Sequence, residues 1–215
     1  MMKLRMHFQK TGRARFISHL DLMQVFRRAL LRAGLPLRYS EGYNPHAVLS
    51  VALPLPVGVA GLCEIVDFSL THPVSLEPLA ARINGVLPEG IAVLDTAPAS
   101  RPVGEIKAAR YELSFAGGAE QMPALHAVFD GRSLMVEKRT KKGTAVLDIA
   151  GAVTVERIAA GGDGGLRLQA VLPTENPALS PEHLLAAVRA HWPESGGFYT
   201  EAARLAILGE DGIAF

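Results

Sequence analysis

Residues 13–34, RARFISHLDLMQVFRRALLRAG, predict a capped amphipathic helix that follows a short basic loop. Ser18 stands at the expected N-cap, and Asp21, three residues later, can complete a capping-box arrangement with it. Apolar residues then recur at the spacing of one helical face, and Gly34 ends the helix before a proline that cannot continue it. The apolar face is formed by Leu22, Phe26, Leu30 and Ala33.

Basic and polar residues surround this helix. Its outer face carries three arginines, which is normal for a packed surface helix. The flanking loops favour a binding site as the alternative, because functional groups are common in loops. The outer-face arginines are Arg27, Arg28 and Arg32; the loop before the helix contains Lys10, Arg13 and Arg15, and the loop after it contains Ser40, Tyr43, Asn44 and His46.

The two loops, Arg13–His19 and Ser40–His46, are predicted to meet in one pocket. Leu35–Tyr39 is predicted to be a second strand parallel to the first, so that the loop after it emerges beside the helix N-terminus. Amides of a first helical turn favour an anion there, and the loop arginines would add positive charge. The alternative, that the polar side chains of Ser40–His46 only satisfy turn carbonyls, remains open.

Basic residues are concentrated near the start of the chain. Residues 1–50 contain nine Lys and Arg against two acidic residues, a net charge of +7, whereas the whole chain carries +1. Such a basic block favours an anionic partner such as RNA or a phosphorylated ligand. A second basic cluster, Lys138–Lys142, is predicted at a hairpin tip that would suit a phosphate backbone. The candidate anion-binding residues are Arg13, Arg15, His19, Arg28, Ser40, Tyr43, Asn44, His46, Lys138, Lys141 and Lys142.

The composition argues against several other classes of protein. Cys63 is the single cysteine, so no disulfide can form within the chain and a reducing cytoplasm is expected. No apolar run approaches the length of a membrane span, and no Walker or dinucleotide glycine loop is present. The seven histidines lie far apart and do not pair at metal-ligand spacing. The sequence predicts no metal site, and it favours a chain without catalytic activity of its own while leaving an enzyme as an alternative.

The order of the predicted elements indicates an α+β fold. Residues 1–96 follow the order strand–helix–strand–strand–helix–strand, with the second helix at Ser75–Leu87, and residues 107–215 repeat it after a linker at 97–106. This order is typical of the split βαβ, or ferredoxin-like, arrangement. We therefore expect two ferredoxin-like halves in tandem, with antiparallel or mixed sheets and helices on one face. The alternative is one larger α+β domain with a continuous sheet.

Two stretches, FISHLDLM at Phe16–Met23 and LPLRYSEGYNPH at Leu35–His46, resemble the radical SAM-linked protein family. Members of that family are bacterial proteins of unknown function, fused to or encoded beside radical SAM enzymes with a cobalamin-binding-type domain. The resemblance continues through Leu53–Gly58 and the strand Glu64–Asp67, and it is weaker in the second half. The positions that depart from the family pattern are Ala47, where a second proline is common, and Ala150, where an arginine is common.

The resemblance implies a partner enzyme and does not supply a reaction. The leading hypothesis is a non-catalytic accessory protein that binds substrate, with RNA as the expected substrate, for a radical SAM protein. The partner would carry S-adenosylmethionine and an iron–sulfur cluster, and this chain would carry no cofactor. Two alternatives remain: a protein-interaction module that docks the radical SAM partner, and a stand-alone RNA-processing enzyme that uses His19 or His46. The sequence predicts no oligomeric state.

Overall fold

Antiparallel strands and a few helices build both units into which the chain divides, Met1–Glu105 and Ile106–Phe215. The computed structural model describes residues 2–131, 133–140 and 143–215 of the chain. The predicted α+β class is confirmed. Among the helices in these ranges, none is long and apolar enough to cross a membrane.

The first unit forms a sheet of antiparallel pairs. Its elements in chain order are β1 (Met2–Lys10), α1 (His19–Arg32), β2 (Leu49–Val51), β3 (Ala60–Leu70), α2 (Leu79–Asn84) and β4 (Ile91–Pro98). β1 lies between β4 and β3, and the short β2 pairs with β3. A 3-10 turn at Gly12–Phe16 joins β1 to α1.

One hydrophobic cluster joins this sheet to both helices. Alternate residues of β1 are fully buried, and the Phe8 ring meets the Phe26 ring of α1 edge-to-face with the centroids 4.8 Å apart. Because side chains alternate between the faces of a strand, both helices cover the same face of the sheet. The cluster includes Leu4, Met6 and Phe8 of β1, the predicted apolar residues Leu22, Phe26, Leu30 and Ala33, and Leu79 and Ile83 of α2.

The predicted ends of α1 are confirmed. Ser18 is the N-cap: its hydroxyl oxygen accepts from the Asp21 amide at 3.2 Å, and its hydroxyl group donates to the Asp21 carboxylate at 2.7 Å. The helix stops at Arg32, and Gly34 follows with a φ of +65°, in the left-handed region that favours glycine. Arg82 of α2 donates to the Gly34 carbonyl at 3.1 Å, which holds the turn against the second helix.

The predicted strand Leu35–Tyr39 is wrong, because this segment forms isolated bridges instead of a ladder. The Arg38 amide donates to the Ser69 carbonyl of β3 at 2.8 Å, and the chain then leaves the sheet as the loop Ser40–His46. The Val48 amide donates back to the Arg38 carbonyl at 2.8 Å, and β2 continues along the same edge of β3. The loop is therefore an excursion from a sheet edge and not a connection at the end of a strand.

The predicted helix Ser75–Leu87 is shorter than expected, because α2 covers Leu79–Asn84. A proline disfavours the helical backbone conformation at the residue before it, so the helix begins only after Pro78. At the other end, the Asn84 side chain donates to the Val93 carbonyl at 2.8 Å and accepts from the Val93 amide at 2.7 Å. These two bonds tie the end of α2 to β4.

The second unit repeats the antiparallel pattern and contains an additional hairpin. Its strands lie in the order β10-β5-β9-β8, and β6 pairs with β7 as a separate two-stranded sheet. The predicted hairpin around Gly161–Gly165 is confirmed as the connection between β8 and β9. The elements are β5 (Ile106–Phe115), α3 (Met122–Val128), β6 (Met135–Thr140), β7 (Gly143–Asp148), β8 (Thr154–Ala160), β9 (Leu166–Pro173), α4 (Pro181–His191), α5 (Ser195–Phe198) and β10 (Tyr199–Gly209).

A histidine fixes the start of α4. The Ser180 amide donates to Nδ1 of His183 at 3.1 Å, and the Ser180 hydroxyl lies 2.8 Å from the same nitrogen. Burial lowers the pKa of His183 below its usual value of 6.5, and the nearby Lys138 ammonium lowers this pKa further. The neutral imidazole is therefore the form that caps the helix.

We expect His183 to make the stability of the protein depend on pH. Because the pKa of His183 is lower in the folded protein, the unfolded chain takes up the proton at a higher pH. The free energy of unfolding should therefore fall as the pH drops from about 6.5 through the lower, folded pKa. A His183→Gln variant keeps an acceptor for the Ser180 amide but cannot titrate, so its melting temperature should vary less with pH.

Thermal melts at a series of pH values test this expectation. The exposed His72→Gln variant is the matched control and should retain the pH dependence of the wild type. If His183→Gln and the wild type lose stability equally on acidification, the His183 cap is not the titrating group.

Candidate anion-binding site

A cavity of about 300 Å³ lies beside the Ser40–His46 loop in the first unit. Strand β1 contributes Lys3, and the middle of α1 contributes Arg27. We call this cavity the cationic groove. Its lining residues are Lys3, Arg27, Ser40, His46, Ala47, Val48, Leu49, Ser50, Asp67, Phe68 and Ser69.

Hydrogen bonds between its ends hold the Ser40–His46 loop closed. The Ser40 amide donates to the His46 carbonyl at 2.8 Å, and the His46 amide donates to the Ser40 hydroxyl oxygen at 3.1 Å. The same hydroxyl oxygen lies 3.0 Å from Nδ1 of His46. Gly42, with a φ of +122°, permits the tight turn, and the neighbouring Tyr43 side chain is 99% exposed. The loop thus presents an aromatic ring to solvent from a fixed base.

Asp67, which lines the groove, belongs to a buried ion pair. Arg5 of β1 and Asp67 of β3 face each other directly across the sheet. The Arg5 guanidinium donates from Nε and Nη2 to the two Asp67 carboxylate oxygens at 2.8 and 3.0 Å. Lys3 places its ammonium nitrogen 3.7 Å from the same carboxylate, and its own side chain is 60% exposed. Arg5 is therefore the close, bidentate partner of Asp67, and Lys3 forms a longer ion pair with the same carboxylate from a side chain that stays largely exposed.

Arg27 brings a second positive charge to the groove. Its Nε is shielded from solvent and has no hydrogen-bond partner among the residues that the structure describes. A shielded N–H group without an acceptor costs free energy, and the guanidinium group as a whole can donate charge-assisted hydrogen bonds to an anion in the groove. Serine hydroxyl groups at positions 40, 50 and 69 line the same space. The arrangement can hold a phosphate or carboxylate group.

The Arg13–His19 loop contacts a different segment. Its Arg15 carbonyl accepts from the Gly58 amide at 2.9 Å, so the chain that follows β2, Leu53–Gly58, is the segment that reaches the start of α1. The prediction of one shared pocket assumed that Leu35–Tyr39 forms a strand that brings the Ser40–His46 loop to the start of α1. This assumption is wrong, because the segment forms only isolated bridges. His19 is the first residue of α1 and is half-buried, and Arg13 is exposed.

The other predicted residues are spread over the chain. Arg28 lines a second cavity, of about 550 Å³, with Asp21, Gln24 and Arg32. Asn44 is exposed in the loop beside Tyr43, and its carbonyl lies 3.4 Å from Nδ1 of His46. The predicted residues Lys141 and Lys142 lie outside the described residues. Lys138 is described, and its ammonium group donates to the Ala178 carbonyl at 2.7 Å.

Sequence reasoning missed Lys3, Arg27 and the Arg5–Asp67 pair as parts of a site. The alternation of β1 places Lys3 and Arg5 on one face, and this signal was available from the sequence. The register that sets Arg5 opposite Asp67 could not be read from the sequence, because it depends on the pairing of two distant strands. Arg27 was placed on the outer face of its helix, but it is half-buried.

Metal binding finds no support in the described parts of the chain, which contain no group of three or more His, Cys, Asp or Glu side chains arranged to hold an ion. Cys63 is partly buried, and burial raises the pKa of its thiol, with Glu64 and Asp95 raising it further. The thiol is therefore held in its protonated form, which is a poor nucleophile.

A protein-family model matches residues 3–181, which include every lining residue of the cationic groove. The chain belongs to this family, DUF2344. The family is described as an uncharacterized protein conserved in bacteria. No curated protein matches the sequence. In this DUF2344 chain, the match runs through the whole first unit and ends at the start of α4.

We expect the Asp67→Ala variant to be strongly destabilised. It leaves the Arg5 guanidinium buried without its carboxylate, and breaking a buried ion pair on one side costs about 3–5 kcal/mol. The double variant Arg5→Met, Asp67→Leu should recover most of this loss, because it removes both charges. Urea denaturation followed by circular dichroism measures the free energy of unfolding.

The partly exposed pair Arg110–Glu156 of the second unit provides the control. Glu156→Gln should cost at most about 1 kcal/mol. Wild-type stability of the Asp67→Ala variant would show that the pair does not hold β1 to β3.

Proposed function

We propose that this protein binds RNA through the cationic groove as an accessory to a radical SAM enzyme, without catalysing a reaction itself. The observation that carries the proposal is the presence of two cationic side chains, Lys3 and Arg27, in the lining of one cavity; the Arg27 Nε is also shielded from solvent without an acceptor among the described residues. A phosphate oxygen is an acceptor of suitable charge for this position.

An exposed ring beside the groove supports a nucleic acid as the ligand. Tyr43 stands at the tip of the Ser40–His46 loop and is 99% exposed, and Tyr39 at the base of the loop is 43% exposed. Proteins that bind single-stranded RNA combine a basic groove for the backbone with aromatic side chains on which bases stack. A strand whose phosphate occupies the groove would place a neighbouring base near this loop.

The resemblance to radical SAM-linked proteins supports the choice of partner. One of its two main stretches, Leu35–His46, contains the loop that borders the groove. The partner would supply S-adenosylmethionine and an iron–sulfur cluster, and this chain would hold the substrate. We further propose that each unit is a ferredoxin-like half. The order β4-β1-β3-β2 in the first unit and the order β10-β5-β9-β8 in the second support this assignment.

We expect RNA binding to weaken steeply with salt and to depend on the groove. Fluorescence anisotropy with a labelled, single-stranded RNA measures the affinity over a range of salt concentrations. Replacing Lys3 and Arg27 together by glutamine should weaken binding by at least about tenfold, because each substitution removes a charge-assisted hydrogen bond to the RNA. The slope of log affinity against log salt should fall by about 0.7 for each phosphate that is no longer neutralised.

The matched control is Arg157→Gln, which removes an exposed arginine from the second unit and should leave the affinity unchanged. Binding that is absent at low salt, or that does not respond to salt, would contradict the proposal. Because the control removes one positive charge and the groove variant two, a loss of binding free energy half as large in the control as in the groove variant would show that only the net charge of the protein matters.

We also expect Tyr43→Ala to weaken RNA binding without affecting stability. Removing the ring on which one base stacks costs about 1–3 kcal/mol of binding free energy. The melting temperature should not change, because the Tyr43 side chain is almost fully exposed. Tyr43→Phe keeps the ring and should bind as the wild type does. If Tyr43→Phe binds as weakly as Tyr43→Ala, the hydroxyl group and not the stacking face touches the RNA.

A further inference from the structure

We propose that a second surface of the first unit docks an acidic, amphipathic segment of a protein partner. The surface consists of Phe16, Leu20 and Val57, and we call it the Phe16 patch. It lies at the start of α1 and in the segment that follows β2, and none of its residues lines the cationic groove. The patch therefore adds a protein-binding surface to the proposed RNA-binding one.

The three side chains are unusually exposed for large apolar residues. Phe16 is 60% exposed, Leu20 is 75% exposed and Val57 is 59% exposed. Phe16 ends the 3-10 turn, and Leu20 follows four residues later in the first turn of α1. Several large apolar side chains exposed in one region are typical of a protein interaction site.

The backbone around the patch is held in place before any partner binds. The Lys10 ammonium donates to the Ile17 carbonyl at 2.8 Å, and the Gly58 amide donates to the Arg15 carbonyl at 2.9 Å. The Phe16 ring lies 3.8 Å from the position that a Cβ atom on Gly58 would occupy, so it packs beside the residue that follows Val57. A partner would therefore spend little free energy in ordering this surface.

Positive charge beside the patch indicates the chemistry of the partner. Arg13 is exposed, and the Arg15 guanidinium carbon lies 4.9 Å from the centroid of the Phe16 ring. The turn Gly12–Phe16 thus contributes two arginines and contains no acidic residue of its own. Complementarity therefore favours a segment in which acidic residues flank large apolar ones.

Other occupants fit this surface less well. In a twofold dimer the same patch faces itself, which would bring Arg13 and Arg15 close to their own copies. RNA needs rings for stacking, and Leu20 and Val57 are aliphatic. An acidic protein segment avoids the like-charge approach and covers the aliphatic side chains.

Selection of peptides on the intact protein tests the proposal. A random library of displayed peptides, long enough to form a helix, is selected on the immobilised full chain at physiological salt. The selected peptides should combine acidic residues with large apolar ones. One selected peptide is then synthesised, and Leu20→Asp and Phe16→Ser should each weaken its binding by at least about tenfold. Leu31→Asp, at a half-exposed leucine near the other end of α1, is the matched control and should not weaken it.

The melting temperatures of all variants distinguish a weakened interface from a failure to fold. Both patch variants should have the melting temperature of the wild type, because the replaced side chains are exposed. Peptides without acidic residues, peptides that bind Leu20→Asp as tightly as the wild type, or no enrichment at all would overturn the proposal. Analytical ultracentrifugation provides a further check. If the wild type is a dimer and Leu20→Asp is a monomer, the patch binds a second copy of the chain, and the proposal is overturned as well. The two proposals can fail independently. If Leu20→Asp loses peptide binding but still binds RNA, the groove functions without the patch.

Discussion

The buried pair of Arg5 and Asp67 is the interaction on which the candidate site depends. It joins the two central strands of the first unit, and Arg5 balances the charge of the Asp67 carboxylate, which lines the groove. Without Arg5, the Asp67 charge would oppose an incoming anion, and Lys3, whose ammonium nitrogen lies 3.7 Å from that carboxylate, would be its ion-pair partner. The pair stands within the β1–β3 ladder, whose register also places Lys3 opposite Ser69, another residue that lines the groove. One ion pair thus connects the stability of the sheet with the charge of the groove.

Most of the local structure could be predicted from the sequence, because short-range chemistry determines it. The Ser18 cap, the apolar stripe of α1 and the stop at Gly34 all depend on residues within a few positions of each other. The α+β class followed from the order of such elements. One error was local, because Pro78 delays the start of α2. The other error arose where tertiary contacts decide. Leu35–Tyr39 has a strand-like composition, yet the chain leaves β3 after Arg38 and returns only at β2.

The candidate site was only partly predictable for the same reason. Ser40 and His46 were identified from their loop, and both line the groove, where the Ser40 hydroxyl oxygen lies 3.0 Å from Nδ1 of His46. Arg27 was interpreted as an outer-face residue of a helix, because periodicity alone cannot show that it is half-buried and lines a cavity with residues from other segments. Lys3 sits near the chain start and enters the groove through the pairing of β1 with β3. Pairing partners that are more than sixty residues apart are not encoded in any local pattern.

Chemical-shift mapping of the isotopically labelled protein with a short single-stranded RNA tests the central claim most directly. It reports which backbone amides sense the ligand, independently of any substitution. The account predicts that the largest shifts fall on the amides that border the cationic groove, at Ser40, at His46–Ser50 and at Asp67–Ser69. Shifts confined to the second unit, or spread evenly over all basic residues, would contradict it.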